Sequence, residues 1–128
     1  MDRVRFIEYR GTPILLSDLS GIRETPDLQR AVRLGGELLR AQPPRSVLVL
    51  VDVTGVEYSV ESFAIVQQSV AENRPFVRAR AVVGLPRVAA VPFQIVARLS
   101  DSPMAKFETR EAAQEWLVSV PTASPPPE

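Results

Sequence analysis

From Ser46 to Gly55, shortly after Pro43-Pro44, the chain runs Ser-Val-Leu-Val-Leu-Val-Asp-Val-Thr-Gly, with Val47 to Val51 apolar without a break. A short, β-branched run with no polar alternation fits a strand covered on both faces, in the middle of a sheet. The two prolines stop whatever precedes it, and the glycine closes it. Everything else in the chain is therefore expected to be a neighbour of this strand or its cover.

On the N-terminal side, Val4 and Phe6 alternate with Arg3 and Arg5, the period of a half-buried strand. The phase then slips, making Ile7 and Tyr9 the apolar pair. Either a β-bulge or a strand covered partly on each face produces such a slip. Arg10-Gly11-Thr12 is a turn, and Pro13 to Ser17 a second strand, close enough to form an antiparallel hairpin with the first. Thr25-Pro26-Asp27 opens a helix with a capping hydroxyl, an early proline and an acid. Its inner face is Leu28, Ala31, Val32, Gly35, Leu38 and Leu39, and the glycine pair Gly35-Gly36 implies a close approach to the sheet.

After the central strand, Ser59 caps a helix over 60–73 with Phe63, Val66 and Val70 facing inward. A strand is predicted over 78–83, ending at Gly84. Residues 85–99 are almost wholly apolar and read as a helix beginning near Pro86 or Pro92, either buried or covering a partner. A short edge strand at 104–107 precedes a helix capped by Thr109, with Ala112, Ala113, Trp116, Leu117 and Val120 inward. The expected order is β-β-α-β-α-β-α-β-α. Strands alternating with helices indicate crossover units and a single mixed, mostly parallel sheet in one α/β domain over 1–120. Residues 121–128, rich in proline, are expected to be a disordered tail.

Composition narrows the chemistry. Fifteen basic residues balance 15 acidic ones, which argues against nucleic acid as a partner. With no histidine and no cysteine, imidazole acid–base catalysis, thiolate attack and the usual zinc and haem ligand sets are unavailable. No phosphate-binding glycine loop is present, and no apolar run approaches the ~20 residues of a membrane span. A cytoplasmic protein without cofactor, metal or catalytic constellation is the expectation.

Two strand ends repeat one pattern: Asp18-Leu19-Ser20-Gly21 and Asp52-Val53-Thr54-Gly55, with Gly84 ending the next strand. Ligands collect at the carboxyl ends of parallel strands, so Asp18, Ser20, Asp52, Thr54, Gly55 and Gly84 are candidate site residues. The same residue types also make self-contained turns, with Asp bonded to its own backbone and Gly at positive φ. The acidic pair and nearby lysine of a phosphoacceptor receiver are missing.

The layout resembles the STAS superfamily, the anti-sigma-factor-antagonist-like domains, in its bacterial SpoIIAA-like branch, which is grouped with lipid-carrier-type domains. Four pieces carry the likeness in order: Leu48 to Gly55, Glu72 to Ala79, Ala81 to Gly84 and Phe107 to Leu117. The resemblance implies a sheet of four to five strands with helices mainly on one face. In sigma-regulating members a phosphorylatable serine lies in an Asp-Ser-Ser-Gly motif opening the helix after the central strand. Here that motif is replaced by Val60-Glu61-Ser62-Phe63, which leaves Ser62 at the phosphoacceptor position without its usual neighbours. Ser62 is equally the third residue of a capped helix.

Two functions follow from the likeness. One is a non-enzymatic regulatory or scaffold domain that binds a protein partner or a second copy of itself, through Ser59, Val60, Glu61, Ser62, Phe63, Val88, Val91 and Phe93. The other is a carrier or sensor of a small apolar ligand lined by residues 88–99, for which the fluorescence of Trp116 is a natural reporter.

Overall fold

The uninterrupted apolar run is the middle strand of a five-stranded sheet. A computed structural model describes residues 2–57 and 59–121. It contains β1 (Val4–Tyr9), β2 (Thr12–Asp18), α1 (Thr25–Arg40), β3 (Val47–Asp52), α2 (Val60–Asn73), β4 (Val77–Val83), α3 (Ala90–Leu99), β5 (Met104–Phe107) and α4 (Arg110–Ser119). Short 3-10 turns, Arg74–Phe76 and Arg87–Ala89, precede β4 and α3. The expected tail beyond Pro121 lies outside the described residues.

The strands lie in chain order, β1-β2-β3-β4-β5. β1 and β2 are antiparallel, and β2 through β5 are mutually parallel. Because every parallel crossover steps in one direction and is right-handed, α1, α2 and α3 must all fall on the same face. They do: α1 packs on α2 and α2 on α3, while α4 packs on β3, β4 and β5 from the other side. The architecture is the mixed α/β sheet with helices mainly on one face.

The hairpin between β1 and β2 is a two-residue turn. Arg10 has φ 51° and Gly11 φ 78°, the pair of positive values that a primed turn needs to match strand twist. The register from Val4↔Ser17 to Tyr9↔Thr12 is unbroken, so no bulge causes the phase slip in β1. The strand is instead covered at opposite ends on opposite faces. Val4 belongs to the core under α1, whereas Ile7 and Tyr9 pack with the core under α4.

Two cores result. Ile14, Leu16, Leu48, Leu50, Ala79, Ala81 and Val83 meet Ala113 and Leu117 of α4. The small alanines of β4 let that helix lie close. Leu15, Val47, Val49 and Val77 meet Leu28, Ala31 and Leu39 of α1. Each fully buried leucine contributes about 1.5–3 kcal/mol. A register shift between Val47 and Leu48 leaves Arg78 as the extra residue of a bulge in β4. Beyond it, alternation sends Ala79, Ala81 and Val83 toward α4 and Arg80 and Val82 toward the three-helix layer.

Three local expectations need correction. The N-cap of α1 is Glu24, not Thr25, and no side chain caps it; Thr25 is drawn into the first turn ahead of Pro26. Ala112 is exposed, because the inward stripe of α4 runs through Ala113 and Leu117. The glycine pair of α1 is buried but not jammed against the sheet: a Cβ on Gly35 would meet Val4 at an ordinary 3.7 Å. A Cβ on Gly36 would face Asn73 of α2 at 3.6 Å.

Candidate functional site

The two repeated strand ends are side by side, since Asp18 and Asp52 are register partners. Each aspartate accepts from the backbone two residues on, Ser20 N–H to Asp18 Oδ1 at 3.1 Å and Thr54 N–H to Asp52 Oδ1 at 2.9 Å. The same sequence therefore makes the same turn twice. Pairing continues past the strands, with Leu19 N–H donating to Asp52 O and Gly21 N–H to Thr54 O. Gly55 stacks on Gly21, both at φ 75°. At Gly84 a Cβ would run into Thr54, whose Cα lies 2.9 Å from that point, so only glycine fits.

Arg110, the first residue of α4, closes this end. Its Nη2 lies 3.1 Å from Asp18 Oδ1, and its Nε donates to Asp52 Oδ2 at 2.8 Å. Partial burial pushes both carboxyls up, but the Ser20 and Thr54 groups and the Arg110 guanidinium outweigh it and hold each below the usual carboxylate range. Arg110 is raised in turn, chiefly by its hydrogen bond to Asp52. Asp18, Ser20, Asp52, Thr54, Gly55 and Gly84 are thus brought together at one end of the sheet, and the two aspartates bond to a cation that periodicity gave no means of pairing with them.

The other candidate residues converge elsewhere. Ser59 and Ser62 form a reciprocal capping box at the start of α2: Ser62 N–H donates to Ser59 Oγ at 3.0 Å and Ser59 N–H to Ser62 Oγ at 2.8 Å. The Ser62 hydroxyl is thus occupied in holding the helix start. Val60 is 86% exposed, and on the neighbouring α3 and its lead-in Val88 is 69% and Val91 68% exposed. Phe63 and Phe93 are half-buried and turn inward instead. Segment 85–99 is therefore neither wholly buried nor wholly exposed. Pro92 sits in the first turn of α3, where its missing N–H costs nothing.

Between the sheet and the α1–α2–α3 layer lies a cavity of about 140 Å³. Its floor is Leu15, Val49, Val51 and Val82 on the strands; its walls include Val32 and Gly35 on α1, Phe63 and Val66 on α2, and Phe93 and Val96 on α3. The lining is overwhelmingly apolar, with Ser17, Ser62, Ser69 and Asn73 as scattered polar points. The volume is close to that of cavities that take up benzene. Gly35 and Gly36 line it, so their missing side chains contribute to the space.

One charged side chain lines this cavity among the described residues, Arg80 of β4. It is only 4% exposed. Burial pushes its pKa down to about 10, leaving it charged at neutral pH. Trp116, by contrast, packs against Phe107 on the α4 side of the sheet, so its fluorescence is separated from the cavity by the strands.

Sequence reasoning missed Arg80, Ser17, Ser69 and Asn73 as cavity residues, because their shared surroundings exist only once strands and helices are placed. Among the described residues no helix is long and apolar enough to cross a membrane.

No family model matches the chain, and no curated protein does. A solved structure does: a protein of the DUF3478 family with a SpoIIAA-like fold from Shewanella loihica PV-4 superposes with a TM-score of 0.69 at 14% identity. The match covers 89% of this chain and 91% of that one. With the strand order, the helix placement and this likeness together, the described residues have the SpoIIAA-like fold.

Proposed function

We propose that this chain is a cytoplasmic, non-enzymatic STAS-like binding domain that takes a small, largely apolar ligand between its sheet and the α1–α2–α3 layer. The observation that carries the reading is the cavity of about 140 Å³. Protein interiors are otherwise packed to crystal-like density. The space is partly open to solvent, so a ligand that fills it gains by removing its apolar walls from water. Support for a non-catalytic role comes from the lining, in which Ser62 is committed to the capping box and no histidine or cysteine stands beside any hydroxyl.

Native mass spectrometry of protein purified gently from its host tests this. Added mass that disappears on denaturation is expected. The variant Val66→Phe, which places a ring in the cavity, should fold and lose that mass. A wild-type protein that carries no adduct and takes up no small apolar probe ends the reading.

A second reading is favoured by a separate observation, the exposed apolar set Val60, Val88, Val91 and Ile95 beside the cavity. Large apolar side chains exposed on two neighbouring helices support a protein interface, here for a protein partner or a second copy of the chain. Val91→Asp should abolish association, measured by light scattering after size-exclusion chromatography, with helix content unchanged. Association equal to wild type removes this reading and leaves the cavity untouched.

A further inference from the structure

We infer that the ligand of the cavity is a small amphipathic monoanion, a carboxylate with an apolar body, and that Arg80 receives its charged end. This rests on the cavity reading above and adds the chemical class. A guanidinium carries five N–H donors in a planar fork and is almost never buried without an acceptor. Arg80 is 4% exposed and lines the cavity, yet among the described residues no carboxylate forms an ion pair with it, and what access its side chain keeps is toward that cavity. Among the described residues no titratable side chain shifts the charge equilibrium of Arg80, since desolvation alone moves its pKa. The site is therefore a cation on an apolar floor, short of the partner that would justify its burial.

The surroundings fix what that partner looks like. Arg80 stands on β4 between Val49 of β3 and Met104 of β5, its register neighbours, and both of these also line the cavity. A bare inorganic anion would satisfy the guanidinium and leave the apolar walls unused. A neutral hydrocarbon would fill the walls and leave the charge unpaired. A carboxylate on a short apolar chain or ring does both, and its two oxygens match the fork. Asn73, whose buried Oδ1 has no donor among the described residues, also borders the cavity.

The test is calorimetric titration of the whole chain, stripped of bound ligand by refolding, with three probes: hexanoate, hexan-1-ol and acetate. Hexanoate is expected to bind at least about tenfold more tightly than either of the others, as a charge-assisted hydrogen bond and a filled apolar wall each add that much. In Arg80→Met hexanoate should fall to the level of hexan-1-ol, while hexan-1-ol stays as in wild type. If hexan-1-ol matches hexanoate in the wild type, the anionic class is overturned and the apolar cavity stands. If acetate matches hexanoate, the site is a plain anion site and the amphipathic class is overturned. If no probe binds to wild type or variant, the cavity reading falls with it. The wild-type comparison alone decides between these, whether or not the variant folds.

Discussion

Asp18 and Asp52 stand opposite each other in the β2–β3 register, and a single guanidinium, that of Arg110, bonds to both. Two carboxylates on adjacent strands, about 5 Å apart at the backbone, would otherwise repel. The bridge also pins the start of α4 to the sheet. Replacing Arg110 with Met should cost about 1–3 kcal/mol at neutral pH, the lower part of that range reflecting the solvent that reaches Arg110. Urea denaturation of both proteins measures it.

The pH dependence has a defined sign. Both carboxyls are held below their usual range, so their contribution is complete above pH ~4 and is lost as pH falls through the folded values. Arg110, being raised, keeps its charge throughout this window. The stability gap between wild type and Arg110→Met should therefore close as pH drops from 5 toward about 2. A gap that stays constant over that interval would mean that the ion pairs do not carry the effect.

Arg80 predicts an inverse relation between stability and binding. With no partner for its charge, the guanidinium destabilises the empty protein, and a Met of similar length does not. Arg80→Met should raise the stability of the ligand-free chain by about 1–4 kcal/mol. Thermal unfolding of stripped protein checks this. A lower melting temperature in the variant would show that Arg80 is satisfied in the free state.

Two glycine-to-alanine changes should move stability in opposite directions. Gly35→Ala adds a methyl at ordinary contact distance from Val4 inside a helix, so a gain of about 0.5–1 kcal/mol is expected. Gly84→Ala forces a side chain into Thr54 at φ 80°, and a loss above about 2 kcal/mol is expected. Denaturant midpoints of the pair settle both. Equal effects would contradict the placement of one of these glycines.

The hairpin turn gives a smaller prediction. Arg10 occupies a left-handed position that asparagine tolerates better, and its ion pair with Glu115 is largely solvent-exposed. Arg10→Asn should stabilise the chain by roughly 0.5 kcal/mol, read from the same midpoints.

Local patterning made most of the scaffold legible. The unbroken apolar run at 47–51 marked the middle strand, the Ser59 cap marked the first residue of α2, and Thr109 did the same for α4. Each is a signal confined to a few neighbouring residues. The partner of Asp52 is 58 positions away, and no short-range pattern points to it. Nothing within the predicted 78–83 strand singled out Arg80. It becomes a buried cation only because β5 flanks it on one side and three helices roof that face. For segment 85–99, apolarity alone did not distinguish core from surface, since Val96 and Val91 differ in burial and hardly in chemistry. The cavity is likewise a property of packing between elements, and no stretch of chain encodes it by itself.

The last helix is the sole cover of one whole side of the sheet among the described residues. Because the strands lie in chain order, each pairs with the one made just before it, and no strand pairing has to wait for distant chain. The α4 side of the sheet is different. Leu16, Leu48, Leu50 and Val83 stay bare until Arg110–Ser119 leaves the ribosome and settles on them. A nascent chain of this protein thus carries a sticky face until α4 has been made. Any lesion that unseats α4, such as loss of Leu117, should show itself as insoluble protein before it shows itself as lost binding.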